Sequence, residues 1–281
     1  QGLGARRTMP NHRDAKKISG KMNWISALLE MPSWAVGLLL IGPGTIFGIV
    51  GPLLMRGFFR LDQLKINNEV AGFTIAVIGA IYAVVLGFAT IVVWEKFREA
   101  ESAVMKEAMA LSSLSQLTNA ADKPAAEQIR AKIRAYERAI VNDEWPAMSR
   151  GHQSPIAAKA LDELYAAVLA QNQGGAREVA IFRAQIAGLN DISQARGQRL
   201  SLATGVVPGA VWLVLVIGAF FTIGYTFFFG AANLSAQVIM NALLSFLIFL
   251  TLFAILDISH PFSGKFQVSP EDIEAQLHQQ P

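Results

Sequence analysis

LSLATGVVPGAVWLVLVIGAFFTIGYTFFFGAANLSAQVIMNALLSFLIFLTLFAIL, residues 200–256, is a stretch of 57 residues without one Asp, Glu, Lys or Arg. About 20 apolar helical residues cross the hydrocarbon core of a bilayer, so the stretch fits two spans joined by a tight turn. Residues 230–233, GAAN, interrupt the apolar pattern directly after the aromatic cluster Tyr225, Phe227, Phe228 and Phe229, as is typical where a helix leaves the membrane. The sequence therefore predicts a membrane hairpin, residues 204–229 and 235–256, with its turn on the exoplasmic side.

Two further uncharged stretches of 25 residues each, 31–55 and 70–94, precede the hairpin and predict the first and second spans. In the first, Gly44 and Gly48 form a GxxxG motif, which fits helix packing inside one subunit as well as dimerisation. The second span is followed by no Pro or Gly before residue 119, so we expect one helix over residues 70–119 that continues beyond the membrane.

Composition supports the same class of protein. The chain is 53% hydrophobic and 16% charged, which indicates an integral membrane protein with a modest polar part. It contains no cysteine, which excludes disulfides, thiolate nucleophiles and cysteine-based metal centres. The net charge of +3 is small, and the basic residues cluster near span ends, so we expect no nucleic-acid partner.

The charged residues are concentrated in one segment, 95–203, which carries 14 Lys/Arg and 13 Asp/Glu and has helical periodicity throughout. The predicted fold class is an all-α integral membrane protein with four transmembrane helices and a helical cytoplasmic domain inserted between the second and third. The predicted divisions are a basic, partly disordered N-terminal arm at 1–30, transmembrane helices 1 and 2 at 31–94, the cytoplasmic helical domain at 95–203, transmembrane helices 3 and 4 at 204–256, and a C-terminal cytoplasmic tail at 257–281.

Basic residues near the span ends predict the topology. Lys96, Arg98, Arg196 and Arg199 flank the helical domain, and six more basic residues lie in the N-terminal arm, against three in the connector between the first two spans. We therefore expect a multi-pass protein of the cell inner membrane with both termini and the helical domain in the cytoplasm.

Signatures of enzymes are missing from the sequence. It contains no GxxxxGK[ST], HExxH or GxSxG motif, and its histidines are scattered over the arm, a loop and the tail. Asp257 and His260 are three residues apart and fit either a shared metal or, as we favour, a structural helix cap. We predict no catalytic residue, no metal site and no cofactor.

Polar residues inside the spans are the functional candidates, because such groups either hold helices together or line a water-filled path. Gln237, Asn241 and Ser245 recur every four residues and share one face of the fourth span. No charged residue lies in the middle of a span, which argues against a proton relay or ion-coupled pump and favours a passive pore.

Two charged pairs flank the inner ends of the second and third spans. Glu95 and Glu99 follow the second span, and Arg196 and Arg199 precede the third. We predict that the pairs face each other and couple the cytoplasmic domain to the membrane; the alternative is that all four side chains are solvated and unpaired.

Two short motifs carry a family resemblance: Arg196-x-x-Arg199-Leu200 before the third span, and Asp257-x-x-x-Pro261-Phe262-x-Gly264 after the fourth. With the four spans and the helical insert, they make the chain resemble the bacterial membrane family that has a bestrophin-like domain. The resemblance implies likeness to bestrophins, pentameric chloride channels whose second span lines the pore. It implies that Thr74, Ile78, Ile81 and Val85 line a pore here. The sequence lacks the dense acidic run through which bestrophins bind calcium.

The functional prediction is a homo-oligomeric ion channel that favours anions such as chloride, with its pore lined by the second span and extended by the cytoplasmic helices. Its expected partners are the lipid bilayer, further copies of itself, with a pentamer favoured by analogy, and a permeant inorganic ion. Two alternatives stay open: a non-conducting membrane scaffold or signalling subunit, and a stator-like energy-transducing subunit.

Overall fold

The computed structural model describes residues 31–65, 68–120, 122–171, 174–203, 207–264 and 266–279. Every regular element within these residues is helical, which confirms the all-α fold class. The predicted arm at 1–30 lies outside the described residues. In chain order the elements are α1 Ser33–Phe58, α2 Leu61–Lys65, α3 Asn68–Thr118, α4 Lys123–Ala139, a π-helix Ile140–Glu144, α5 Trp145–Met148, α6 Pro155–Leu169, α7 Ala176–Leu202, α8 Gly209–Thr226, α9 Leu234–Ile258 and α10 Glu271–Gln279.

Four of these helices, α1, α3, α8 and α9, are long and apolar enough to cross a membrane. They correspond to the four spans expected from the sequence. The helix α8 begins at Gly209, five residues later than predicted, because Pro208 before it has an extended backbone, with φ −57° and ψ 143°. The hairpin turn falls between α8 and α9, where Asn233 caps α9 by accepting a hydrogen bond from the Ala236 N–H.

The helix α3 is continuous over 51 residues, as the sequence predicted, and is about 75 Å long at 1.5 Å per residue. Its two halves belong to different cores. The first half packs against α8 and α9 in an apolar core that includes Tyr82 and Val93. The second half packs against α7 in the core of the helical domain, around Leu111 and Leu114. A rigid helix therefore links the membrane part to the helical domain.

The GxxxG motif of α1 packs against α9 of the same subunit. A Cβ atom added to Gly48 would lie 2.7 Å from the Asn241 carbonyl oxygen and 2.8 Å from Ser245 Cβ, and one added to Gly44 would overlap the Phe249 ring. Gly48 lets the two backbones approach closely, and Gly44 leaves room for the Phe249 ring. Of the two interpretations of the motif, the structure supports packing inside one subunit.

The helical domain is not interrupted after α4. The chain passes through the π-helix and resumes as α5, with Pro146 in its first turn. Proline is tolerated there because the first turn of a helix needs no backbone N–H donor. The next helix, α6, is capped by Ser154, whose Oγ accepts hydrogen bonds from the N–H groups of Ile156 and Ala157 at 3.2 and 3.3 Å.

Candidate functional site

The residues proposed to line a pore lie along the membrane half of α3. Ile81 is 62% exposed, whereas Thr74, Ile78 and Val85 are half-buried. Val85 also packs against the membrane core of its own subunit. The Thr74 hydroxyl donates to the Val70 carbonyl of the same helix at 2.9 Å, so it is satisfied locally. The line is therefore mostly apolar and lies at the edge between the packed and exposed faces of α3.

Tyr82 fixes which face of α3 turns towards the rest of the subunit. Its hydroxyl donates to the Leu215 carbonyl at 2.8 Å. Its ring packs on Gly218 so closely that a Cβ atom at position 218 would lie 2.6 Å from the ring. The opposite face carries large exposed apolar side chains: Phe73, Val77, Ile81, Val84, Phe88 and Ile91. This face has no covering element among the described residues, so in a membrane it contacts lipid or another protein chain.

The polar residues of the fourth span point into the subunit. Gln237, Asn241 and Ser245 are all buried. Gln237 Nε2 donates to the Phe229 carbonyl at 2.8 Å, while Asn241 Nδ2 and Ser245 Oγ have no hydrogen-bond partner among the described residues. Because Asn241 and Ser245 face the Gly48 backbone, this face of α9 serves the contact with α1.

A buried ion-pair cluster joins four elements of the helical domain, α3, α4, the π-helix and α7. Arg199 on α7 is fully buried, and its Nε and Nη2 donate to the two carboxylate oxygens of Glu107 on α3 at 2.6 and 3.1 Å. The same Nη2 donates to Glu144 of the π-helix at 2.8 Å. Arg196 donates to Glu144 at 2.5 and 3.2 Å. The hydroxyl of Tyr136 donates to Glu107 at 2.7 Å, which completes the cluster.

The electrostatics of the cluster favour its charged forms. Burial alone would lower the pKa of the Arg199 guanidinium, but the charges of Glu107 and Glu144 outweigh burial and raise this pKa above its ordinary value. For the Glu144 carboxyl, burial acts to raise the pKa, but hydrogen bonds and charge from Arg196 and Arg199 outweigh it, and the pKa falls below its ordinary value. Two arginines and two glutamates therefore neutralise each other inside the domain.

These contacts correct the predicted partners of Arg196 and Arg199. We expected Glu95 and Glu99, but Glu95 is exposed, and Glu99 accepts hydrogen bonds from Lys96 at 2.6 Å and from Gln198 at 3.2 Å. The arginines meet α3 further along its second half than predicted, because Glu107 lies 12 residues beyond Glu95 on the same helix. The carboxylates within their reach are those of Glu107 and Glu144. Only Gln198 links Glu99 to α7 among the described side chains.

Glu107 and Glu144 were not predicted from the sequence, although the sequence contains a signal for Glu107. Glu107 interrupts the apolar face of α3 between Val104 and Leu111, where a charged residue must have a partner if the face is buried. Glu144 had no comparable signal, because its position depends on the extra residue in the π-helix turn.

The tail motif packs against the ion-pair cluster through Trp145. Phe262 is 2% exposed and meets the Trp145 ring edge to face, with ring centroids 5.6 Å apart. The indole N–H of Trp145 donates to the Val268 carbonyl at 3.3 Å, and the Val268 N–H donates to the Pro261 carbonyl at 2.7 Å. Gly264 has φ +87°, in the left-handed region that favours glycine, which explains the glycine of the motif.

The start of the tail motif lies at the end of the fourth span. His260 Nδ1 lies 3.2 Å from the Leu256 carbonyl oxygen and 3.0 Å from Ser259 Oγ, so its ring contacts the last turn of α9. Burial lowers the His260 pKa, and this effect outweighs the opposing influence of the Leu256 carbonyl and of Asp257. These contacts are those of a helix cap.

Comparison with known proteins shows similarity to bestrophin-like proteins over most of the chain. The sequence model of the family described as Bestrophin-like domain matches residues 45–273. The solved structure of a point mutant of a bacterial Bestrophin homolog from Klebsiella pneumoniae has a TM-score of 0.64 at 15% identity, covering 85% of this chain and 99% of that one. A mutant structure described as a membrane protein has a TM-score of 0.64 at 17% identity, covering 88% and 99%. No curated protein matches the sequence.

Proposed function

The chain belongs to the Bestrophin-like domain family, and from this premise we propose that it forms a homo-oligomeric ion channel in the membrane. The observation that supports the proposal most is the exposed apolar face of α3. Within the membrane part of one subunit, the buried polar groups of Asn241 and Ser245 lie at the contact between α1 and α9, and they form no continuous polar path among the described residues. A hydrated route for ions would therefore need several copies of α3 around a common axis, and the family resemblance favours five.

In this channel the line Thr74, Ile78, Ile81 and Val85 forms the narrow part of the pore. The line is mostly apolar, and Ile81 is its most exposed member. A narrow apolar passage excludes water and ions unless it widens, so it acts as a gate. The second half of α3 continues from the membrane into the helical domain, whose helices would extend the pore.

The permeant ion is proposed to be a small inorganic anion such as chloride. The membrane half of α3, residues 70–94, carries no carboxylate that would attract cations. The anion preference otherwise follows from the resemblance to bestrophins. Conduction by this route needs no catalytic residue and no cofactor.

The ion-pair cluster is proposed to transmit movement from the helical domain to the pore. Arg199 connects α7 to Glu107 on the pore helix and to Glu144 on the π-helix. Because α3 is one helix, a shift of α7 against Glu107 would also displace the membrane half of α3. In this role Arg196 and Arg199 couple the domain to the membrane, although their partners differ from Glu95 and Glu99.

The proposed topology places the protein in the cell inner membrane, with both termini and residues 95–203 on the cytoplasmic side. Protease protection in inverted inner-membrane vesicles tests it. We expect cleavage within the helical domain and the tail, and protection of the hairpin turn. Cleavage of the helical domain and the tail from opposite sides would contradict the topology.

Recording from the purified protein in planar bilayers tests conduction. Under a chloride salt gradient we expect single-channel currents that reverse near the chloride equilibrium potential. Currents that reverse near the cation equilibrium potential would contradict the anion preference, and silence under all salts would contradict the channel itself. The matched control is protein carrying a bulky substitution on the pore line, Ile81→Trp, which should reduce the current while the protein stays folded.

A further inference from the structure

Arg56 is a cation in the last turn of α1, beside the hairpin turn and at the end of the membrane bundle that lies away from the helical domain. Its Nη2 donates to the Ala231 carbonyl and lies 3.4 Å from the Gln237 amide oxygen. Both acceptors are neutral. The ion pairs formed among the described residues do not include Arg56.

Not all hydrogen-bond donors of Arg56 have a partner. Its Nε is buried and has no hydrogen-bond partner in the described part of the chain. A guanidinium has five N–H donors, and leaving a charged donor unsatisfied away from water is costly. The buried Arg199 of the same protein has two glutamates as counter-ions. The contrast indicates that the counter-ion of Arg56 comes from outside the described chain.

Arg56 is not the only residue that holds the hairpin turn. The Asn68 side chain makes two hydrogen bonds with the Gly230 backbone. Its Nδ2 donates to the Gly230 carbonyl at 3.1 Å, and its Oδ1 accepts from the Gly230 N–H at 3.0 Å. Gln237 Nε2 donates to the Phe229 carbonyl. The turn therefore has neutral anchors, and these do not explain why a cation is placed there.

The surface around Arg56 combines a cation with exposed apolar side chains. Leu53 lies one helical turn back on the same face of α1 and is exposed. On the other side, the exposed rings of Phe59 and Phe228 pack together with centroids 6.4 Å apart. A phospholipid has a negative phosphate above apolar chains, so its phosphate would meet Arg56 while a chain lies along Leu53. A free inorganic anion would make no favourable contact with this apolar surface.

We propose that Arg56 binds the phosphate of a phospholipid at the hairpin end of the membrane bundle. The guanidinium donates to the phosphate oxygens from the terminal N–H groups that the hairpin turn leaves free, as arginine does with oxyanions. The lipid supplies the missing negative charge and ties α1 to the hairpin turn. The site does not depend on ion conduction and would exist in a non-conducting protein.

Native mass spectrometry of the full chain in detergent, titrated with phosphatidylglycerol, tests the site. We expect Arg56→Gln to weaken retention of the lipid by about tenfold, the effect of losing a charge-assisted hydrogen-bond pair. Lys65→Gln removes an exposed positive charge near the same end and should change retention less than twofold. Asn68→Ala loosens the hairpin turn without removing a charge and should also keep the lipid.

Three results would overturn the proposal. The first is equal retention by the wild type and Arg56→Gln. The second is a loss in Asn68→Ala as large as in Arg56→Gln, because retention would then report the integrity of the hairpin. The third is Arg56-dependent binding of inorganic phosphate as tight as that of phosphatidylglycerol, which would assign the site to a soluble anion.

Discussion

The guanidinium carbon of Arg199 lies 5.4 Å from the centroid of the Trp145 ring, within the range of a cation–π interaction. The same ring packs edge to face on Phe262 from the tail. Trp145 therefore stands between the ion-pair cluster and the segment that follows the fourth span. Through it the end of α7, which leads into the third span, is connected with the tail that follows the fourth span, α9.

Replacing Arg199 with Met is expected to destabilise the protein by about 3–5 kcal/mol, because Glu107 would be left buried without its cation. The measurement is the midpoint of thermal unfolding in detergent. The control is Arg183→Met, an exposed arginine on the same helix, which should shift the midpoint little. Equal midpoints for the two variants would show that Arg199 does not stabilise the fold.

Replacing Phe262 with Ala is expected to detach the tail from Trp145, at a cost of about 3–5 kcal/mol for an aromatic side chain lost from a core. Hydrogen exchange of residues 257–279 and of the Trp145 region measures the effect. Phe266, four residues later and 69% exposed, provides the matched control. If Phe266→Ala increases exchange as much as Phe262→Ala, the Trp145 contact does not anchor the tail.

Gly48→Ala is expected to force α1 away from α9 and to lower the thermal stability of the purified protein. A Cβ there would meet the Asn241 backbone at 2.7 Å, and backbone cannot move aside as a flexible side chain can. Gly42 on the same helix has nothing within 4 Å of its Cβ position. Gly42→Ala should therefore be neutral or slightly stabilising, since alanine favours a helix by about 1 kcal/mol over glycine. A stability loss in both variants would point to a general effect of the substitution.

On the proposed pore line, Ile81→Thr is expected to increase single-channel conductance, because a hydroxyl in an apolar constriction helps water to enter it. Leu38→Thr on α1 introduces the same group at an equally exposed apolar position and should leave conductance unchanged. Recordings in planar bilayers under identical salt compare the two. Equal conductance in Ile81→Thr and wild type would remove Ile81 from the pore.

Stability is expected to fall in two steps on acidification. The folded-state pKa of His260 lies below its ordinary value of 6.5, so its contribution is complete above pH 6.5 and is lost as pH falls towards the folded pKa. The folded-state pKa of Glu144 lies below its ordinary 4.5, so its contribution is lost only below pH 4.5. Unfolding midpoints measured across this range should show both steps, and His260→Gln should abolish the first one alone. An unchanged first step in that variant would assign it to another group.

Hydropathy and periodicity in the sequence were enough to predict the four spans, the helical insert and the continuous helix α3. The physical reason is that burial in the bilayer requires about 20 consecutive apolar residues, and burial in a protein core requires an apolar face at helical spacing. Both are local properties of the sequence. The family resemblance was also recognisable from the sequence. Its motif reflects local backbone geometry, such as the left-handed conformation of Gly264, which is written in a few neighbouring residues.

The tertiary structure alone decided which side chains meet. Periodicity assigns Gln237, Asn241 and Ser245 to one face of α9, but only the packed fold shows that α1 covers that face. Likewise, Arg199 meets Glu107, 92 residues away, because of the level at which α7 lies against α3. No local pattern in the sequence encodes how α7 aligns along α3, or that the π-helix brings Glu144 to the same arginine.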